Sequence, residues 1–207
     1  MRCLYIDTSS NYLYTAIVEN NKLICSKSKE FGQNLSEVTL PEIADMFEKN
    51  NLSTKDVDKI IVADGPGSFT GIRIGITIAK VYAWSLNIPI TTISSLEAMA
   101  ISSAKQTIHV PILNARRGYV YTAIYDSQFN ELFKPKHIKY DEFKKELSNY
   151  DEYEFISNDT FDEDILLNPY SPDYLKIVEM YKNKKNINPH AVNPNYLKLT
   201  EAEESKL

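Results

Sequence analysis

Apolar residues alternate or run together over Arg2 to Asp7, Tyr12 to Glu19 and Lys22 to Lys29, which predicts three strands. Asn20-Asn21 predicts a two-residue turn between the last two, because Asn tolerates positive φ. The period then lengthens. Leu40, Ile43, Ala44 and Phe47 fall at i, i+3, i+4 and i+7 of a helix, with Ser36 as candidate N-cap and Pro41 near its start. Ile60 to Ala63 reads as a fourth strand. A helix to about Leu86 follows a glycine loop, and Ile90 to Ile93 reads as a fifth strand.

The order is three strands, helix, strand, helix, strand. That is a ribonuclease-H-like unit, and it ends near residue 94. The second half is less regular. Ser94 and Glu97 make a capping-box pattern for a helix to about Lys105. Val110 to Asn114 and Tyr119 to Asp126 predict two strands joined around Arg116-Arg117-Gly118. A helix over 141–147, a strand over 153–156 and a helix over 174–181 complete the reading, and the charged tail 201–207 is expected to fray. The chain is therefore expected to be α/β. An N-terminal ribonuclease-H-like lobe takes 1–94, and a shortened second lobe takes 95–207.

The second predicted helix has too much apolar surface. Gly71, Gly75, Ala79 and Ala83 form one line at i, i+4, i+8 and i+12, flanked by Ile72, Ile74, Ile76, Ile78, Val81, Tyr82 and Leu86. The apolar arc spans roughly 220°, where a surface helix needs about 100°. One sheet does not cover that arc, so a second helix, from this chain or a partner, is expected along the small-residue ridge. Trp84 on the polar side either folds over the Lys80 stem or anchors a partner. The loop before the helix holds Gly65, Gly67, Gly71 and Gly75, four of the six glycines in the chain. It lacks the Lys-Ser or Lys-Thr of a nucleotide phosphate loop, and it follows the wrong strand for a dinucleotide fingerprint. Two readings stay open: free backbone N–H groups at the helix start hold an anion, or Ser68 or Thr70 caps them.

Composition narrows the class. The chain has 207 residues, a hydrophobic fraction of 43% and a net charge of −5. No apolar run approaches a membrane span, and Met1 to Asp7 does not read as a secretory signal. Cys3 and Cys25 read as small buried hydrophobes in a reducing cytosol. His109, His137 and His190 have no ligand spacing, so no protein metal site is expected. The basic spots Arg116–Arg117, Lys134–Lys136–Lys139 and Lys182–Lys184–Lys185 read as solvated faces. If the chain meets nucleic acid, a partner is expected to do most of the holding.

Three stretches carry a resemblance. They are Gly65-Pro66-Gly67-Ser68-Phe69-Thr70-Gly71-Ile72-Arg73-Ile74-Gly75, then Asn114-Ala115-Arg116-Arg117-Gly118-Tyr119-Val120-Tyr121, then Pro194-Asn195-Tyr196-Leu197 with Glu201-Ala202-Glu203. With Asp7-Thr8-Ser9, they make the chain resemble the bacterial TsaB (YeaZ) family of the actin/Hsp70/sugar-kinase-like superfold. The resemblance implies a cytoplasmic, non-catalytic scaffold that pairs with TsaD, the subunit that transfers threonylcarbamoyl to the adenosine beside the anticodon of tRNA. It also implies a TsaE-like ATPase in the assembly, a homodimer when the chain is alone, tRNA contact only through the complex, and no cofactor of its own, with ATP acting only within the complex. The expected interface is Leu40, Ile43, Phe47, Gly71, Ile74, Gly75, Ile78, Ala79, Tyr82 and Ala83. A weaker nucleotide or anion site is expected at Asp7, Thr8, Gly65, Gly67, Ser68 and Thr70.

Departures from the family pattern bear on chemistry. Ser95-Leu96-Glu97-Ala98-Met99 stands where the catalytic paralogue carries two metal-binding histidines. Asn114 replaces an acidic residue, and Asn34-Leu35-Ser36 lacks a frequent His. A small-molecule kinase or ATPase of the same superfold is the alternative. A metallopeptidase reading lacks its metal ligands.

Overall fold

The computed structural model describes residues 1–161 and 165–198, apart from the Gln33 side chain. The expected fraying tail, 201–207, and the Glu201-Ala202-Glu203 stretch lie outside the described residues.

The chain forms two five-stranded mixed sheets. In the first, β1 (Arg2–Asp7), β2 (Tyr12–Glu19) and β3 (Lys22–Glu30) make an antiparallel meander. Asn20 and Asn21 turn it with φ of 47° and 62°. Parallel strands β4 (Lys59–Gly65) and β5 (Ile90–Ser94) complete the order β3-β2-β1-β4-β5. α1 (Leu35–Lys49) joins β3 to β4, and α2 (Phe69–Ser85) joins β4 to β5. The second sheet repeats this plan after α3 (Ser95–Ile101). Its strands are β6 (Ile108–Asn114), β7 (Tyr119–Tyr125) and β8 (Glu131–Lys139), then, after α4 (Tyr140–Leu147), β9 (Tyr153–Ile156) and β10 (Leu167–Asn168). The order β10-β9-β6-β7-β8 again puts the first strand at the centre, a meander on one side and parallel strands on the other. Among the described residues no helix separates β9 from β10, so this lobe is the shorter copy.

Strand β1 is buried on both faces, and its alternation sorts the first core into two halves. Leu4 and Ile6 face Ile43, Met46 and Phe47 of α1 and Ile72, Ile76, Ala79 and Ala83 of α2. Cys3 and Tyr5 face Ala98 and Ile101 of α3 and Ile177, Val178 and Tyr181 of α5 (Tyr174–Tyr181). The chain therefore returns to the first sheet after building the second. The boundary expected at residue 94 needs correction for this reason: α5 and the segment after it lie on the first lobe. Ile187 N–H donates to the Ile90 carbonyl at 2.8 Å, and the buried Lys59 ammonium donates to the carbonyls of Lys182 and Lys184 at 3.1 and 2.7 Å. Burial holds the Lys59 pKa below the usual lysine range.

Several local expectations change. The N-cap of α1 is Asn34, not Ser36, and its side chain makes no capping bond. Ser94 caps α3 by position, but the capping box does not close, and the helix ends at Ile101. β8 forms where the sequence predicted no element. The Lys80 ammonium donates to the Val192 carbonyl at 2.8 Å, and Trp84 stands edge-on to His190.

Candidate functional site

The glycine loop and the turn after β1 are built against each other. Ser68 N–H donates to the Ser9 carbonyl at 2.6 Å. Thr8 Oγ1 donates to the Gly71 carbonyl at 2.7 Å and accepts from Gly75 N–H at 3.0 Å. Ser68 caps α2, its Oγ accepting from Gly71 N–H at 3.2 Å. The loop thus fills part of its own helix start, in favour of the capping reading. The glycines exist for this contact. A Cβ on Gly67 would stand 2.1 Å from the Ser9 carbonyl oxygen, and one on Gly71 would stand 2.0 Å from that of Thr8. Gly67 also needs its φ of 152°.

That geometry reassigns the small-residue ridge. Gly71, Gly75, Ala79 and Ala83 are buried against β1 and the first core, as are Ile43 and Phe47. The close neighbour along the start of the ridge is the β1 turn, not a partner helix. Of the expected interface, only Leu40, Ile74, Ile78 and Tyr82 keep side-chain surface. Beside them Val81 of the sequence arc is 54% exposed, and two residues outside that arc add apolar surface: Phe69 is 49% exposed and Trp84, which the sequence placed on the polar side, 66%. Beside it runs a groove of about 680 Å³ between α2 and the C-terminal segment, lined by Arg73, Ile76, Trp84, His190, Val192 and Tyr196 among others. Arg73 lies 3.8 Å over the Phe69 ring and donates from Nε to Tyr196 Oη at 2.6 Å.

The expected nucleotide residues divide. Ser68, Thr70 and Gly67 line a cleft of about 570 Å³ between the lobes, facing Asn114, Arg116, Asp159 and Thr160. Asp7 does not join them. Its carboxylate is buried, accepting from Ser9 N–H at 2.8 Å and from Tyr5 Oη at 3.2 Å, beside a void of only about 20 Å³. Burial pushes its pKa up. Thr8 spends its hydroxyl on α2, and Gly65, with φ of 112°, faces Ile72 and the Asn195 carbonyl. Asn114 is also committed: its Nδ2 donates to the Thr160 carbonyl at 2.7 Å and its Oδ1 accepts from Arg116 N–H at 2.8 Å. Asp159 accepts from Asn114 N–H at 2.7 Å, and burial raises its pKa. Among the described residues no three His, Cys, Asp or Glu side chains gather as a metal set. Among the described residues no helix is long and apolar enough to cross a membrane.

Comparison with known proteins decides the family. The family described as TsaD, tRNA N6-adenosine threonylcarbamoyltransferase, matches residues 28–171. The chain is 32% identical to the tRNA threonylcarbamoyladenosine biosynthesis protein TsaB of Bacillus subtilis (strain 168), over 98% of this chain and 96% of that one. It belongs to the TsaB family. Escherichia coli (strain K12) TsaB is 30% identical over 64% of this chain and 58% of its own length. The structure called YeaZ from Pseudomonas aeruginosa superposes with a TM-score of 0.76 over 95% of this chain and 99% of that one, at 17% identity, and so shares the fold. The TsaB assignment agrees with the repeated sheet order, which is that of the actin/Hsp70/sugar-kinase-like superfold.

One partly buried acid gives this TsaB chain a pH signature. Asp64, at the end of β4, has one carboxylate oxygen with no hydrogen-bond partner. Burial pushes its pKa up from 3.8 to about 6, with Glu97 adding to the rise. A raised acid costs folding free energy when charged. The penalty is full above pH 6 and is relieved as pH falls toward 3.8. Asp64→Asn should therefore stabilise the chain by about 1–2 kcal/mol at neutral pH. In thermal melts the gain should disappear near pH 4, and an equal gain at both pH values would refute it.

Proposed function

We propose that the chain acts in tRNA threonylcarbamoyladenosine biosynthesis as a non-catalytic subunit that binds a TsaD-like partner. The carrying observation is the apolar surface of α1 and α2, where Leu40, Val81 and Trp84 are exposed and Ile74 and Ile78 half-exposed. Large apolar side chains grouped on one surface fit a protein interface better than a solvated face. The commitment of Asp7, Thr8 and Asn114 to internal hydrogen bonds supports the absence of a catalytic centre in the cleft. The relatives named TsaB support the pathway. A homodimer of the free chain through the same face, a TsaE-like ATPase in the assembly and a cytoplasmic location belong to the same proposal.

Mixing the full chain with TsaD from the same organism tests it. A single co-eluting complex in gel filtration is expected, and two separate peaks at micromolar concentrations would sink it. The alternative, a small-molecule kinase or ATPase, draws on the polar inter-lobe cleft next to the α2 N-terminus. Steady ATP turnover by the isolated chain would favour that alternative.

A further inference from the structure

The turn between β6 and β7 holds three consecutive residues in the left-handed region: Arg116 at φ 66°, Arg117 at 54° and Gly118 at 73°. The tight hairpin asks for left-handed residues, which Asn and Gly supply with little strain; two arginines there cost more. Both are exposed. The strands beside the turn carry rings. Antiparallel pairing sets Tyr121 opposite His137 and Tyr119 opposite Lys139, all on one face. The Tyr119 and His137 rings stack at 4.7 Å and 14°, and Tyr121 lies 5.1 Å from the same imidazole. Lys139 Nζ stands 5.9 Å from the Tyr119 centroid. Further along this face α3 covers Ala123 and Tyr125, but Tyr119 and Tyr121 remain half-exposed beyond it.

Charge sets the patch apart. The chain has 28 acidic and 23 basic residues, yet among the described residues Arg116, Arg117 and Lys139 form no ion pair. Arg116 and Tyr121 also line the inter-lobe cleft, so the patch continues into its mouth.

We infer that this face of the second lobe binds single-stranded RNA. Arg116, Arg117 and Lys139 meet phosphates, and unpaired bases stack on Tyr119 and Tyr121. A duplex fits poorly, because its bases are already stacked on each other. The choice of RNA over DNA rests on the proposed role in tRNA modification. Nucleic-acid contact is then shared, with this lobe supplying part of the grip rather than leaving it all to a partner.

Fluorescence anisotropy of the full chain with a fluorescein-labelled anticodon stem-loop RNA at low salt tests the inference without any TsaD. Its failure is therefore separate from a failure to co-elute. The stem-loop should bind more tightly than a blunt RNA duplex of equal length. Replacing Arg116→Asn together with Arg117→Gly keeps residues that accept the turn. That variant should weaken binding and flatten the salt slope by about 1.4, two phosphates at about 0.7 each. Tyr121→Ala should weaken binding by about tenfold with the slope unchanged, and Tyr121→Phe should restore it. Thermal melts confirm that each variant is folded. No binding by the unaltered chain, or variants that bind as it does, would overturn the inference. Equal affinity for the duplex would remove the stacking role, and equal affinity for the matching single-stranded DNA would remove the RNA assignment.

Discussion

Gly71→Ala should cost the chain about 3 kcal/mol or more, a large fraction of the ~5–15 kcal/mol that holds a typical domain folded. Helix propensity alone predicts the opposite, since Ala favours a helix interior over Gly by about 1 kcal/mol. The contact decides the sign. An added Cβ would lie 2.0 Å from the Thr8 carbonyl oxygen, which is backbone and cannot rotate away. Thr8 is pinned by its own hydroxyl bonds to Gly71 and Gly75, so relieving the clash means moving α2 off the end of β1. Gly75→Ala should cost less, because its Cβ would meet the Thr8 hydroxyl, 2.5 Å away, rather than backbone. Gly32→Ala is the control. Its φ is 54° but nothing lies within 4 Å, so only the left-handed penalty of about 1–2 kcal/mol applies. Urea unfolding curves rank the three. A midpoint for Gly71→Ala at or above that of the unaltered chain would show that the two backbones do not approach as described.

The double change Val81→Asp with Trp84→Asp should weaken association with the TsaD-like partner by about a hundredfold or more while leaving the chain folded. The two side chains are 54% and 66% exposed, so monomer stability should shift by no more than about 0.5 kcal/mol. In a complex they would be desolvated, and a carboxylate buried without a partner is costly. Bulky changes at Gly75 or Ala79 make a poorer test, because both residues are buried in the chain's own core and such variants lose stability first. Titration calorimetry alongside thermal melts separates the two effects. Undiminished affinity in the folded double variant would move the docking surface away from α2.

Much of the first lobe was legible because its strands and helices announce their periods and its turn residues suit their angles. Asn20-Asn21 is the plainest case. The small-residue ridge was legible as a ridge, but periodicity does not say what lies against it, and here it is the β1 turn. The burial of Asp7 depends on Tyr170 and Tyr174, which stand far along the chain and pack around it with Tyr5 and Tyr14. No local pattern carries that. β8 was missed for a different reason. It is an edge strand, and Lys134, Pro135 and Lys136 protect such edges while giving the sequence the look of a loop. The left-handed arginines at 116 and 117 leave no signal in composition. Only Gly118 beside them marks the turn.

The return of α5 to the first sheet has a consequence for biosynthesis. One face of β1 and β4, with Cys3, Tyr5 and Ile61, has only α3 to cover it until Ile177, Val178 and Tyr181 have left the ribosome. The Lys59 ammonium likewise waits for the carbonyls of Lys182 and Lys184. Domains usually fold in the order they are made. In this chain the second sheet, complete by Asn168, can close while the first is still half bare. The N-terminal lobe is begun first and finished last, and during that interval its apolar face is open to chaperones or to the same face of a neighbouring nascent chain.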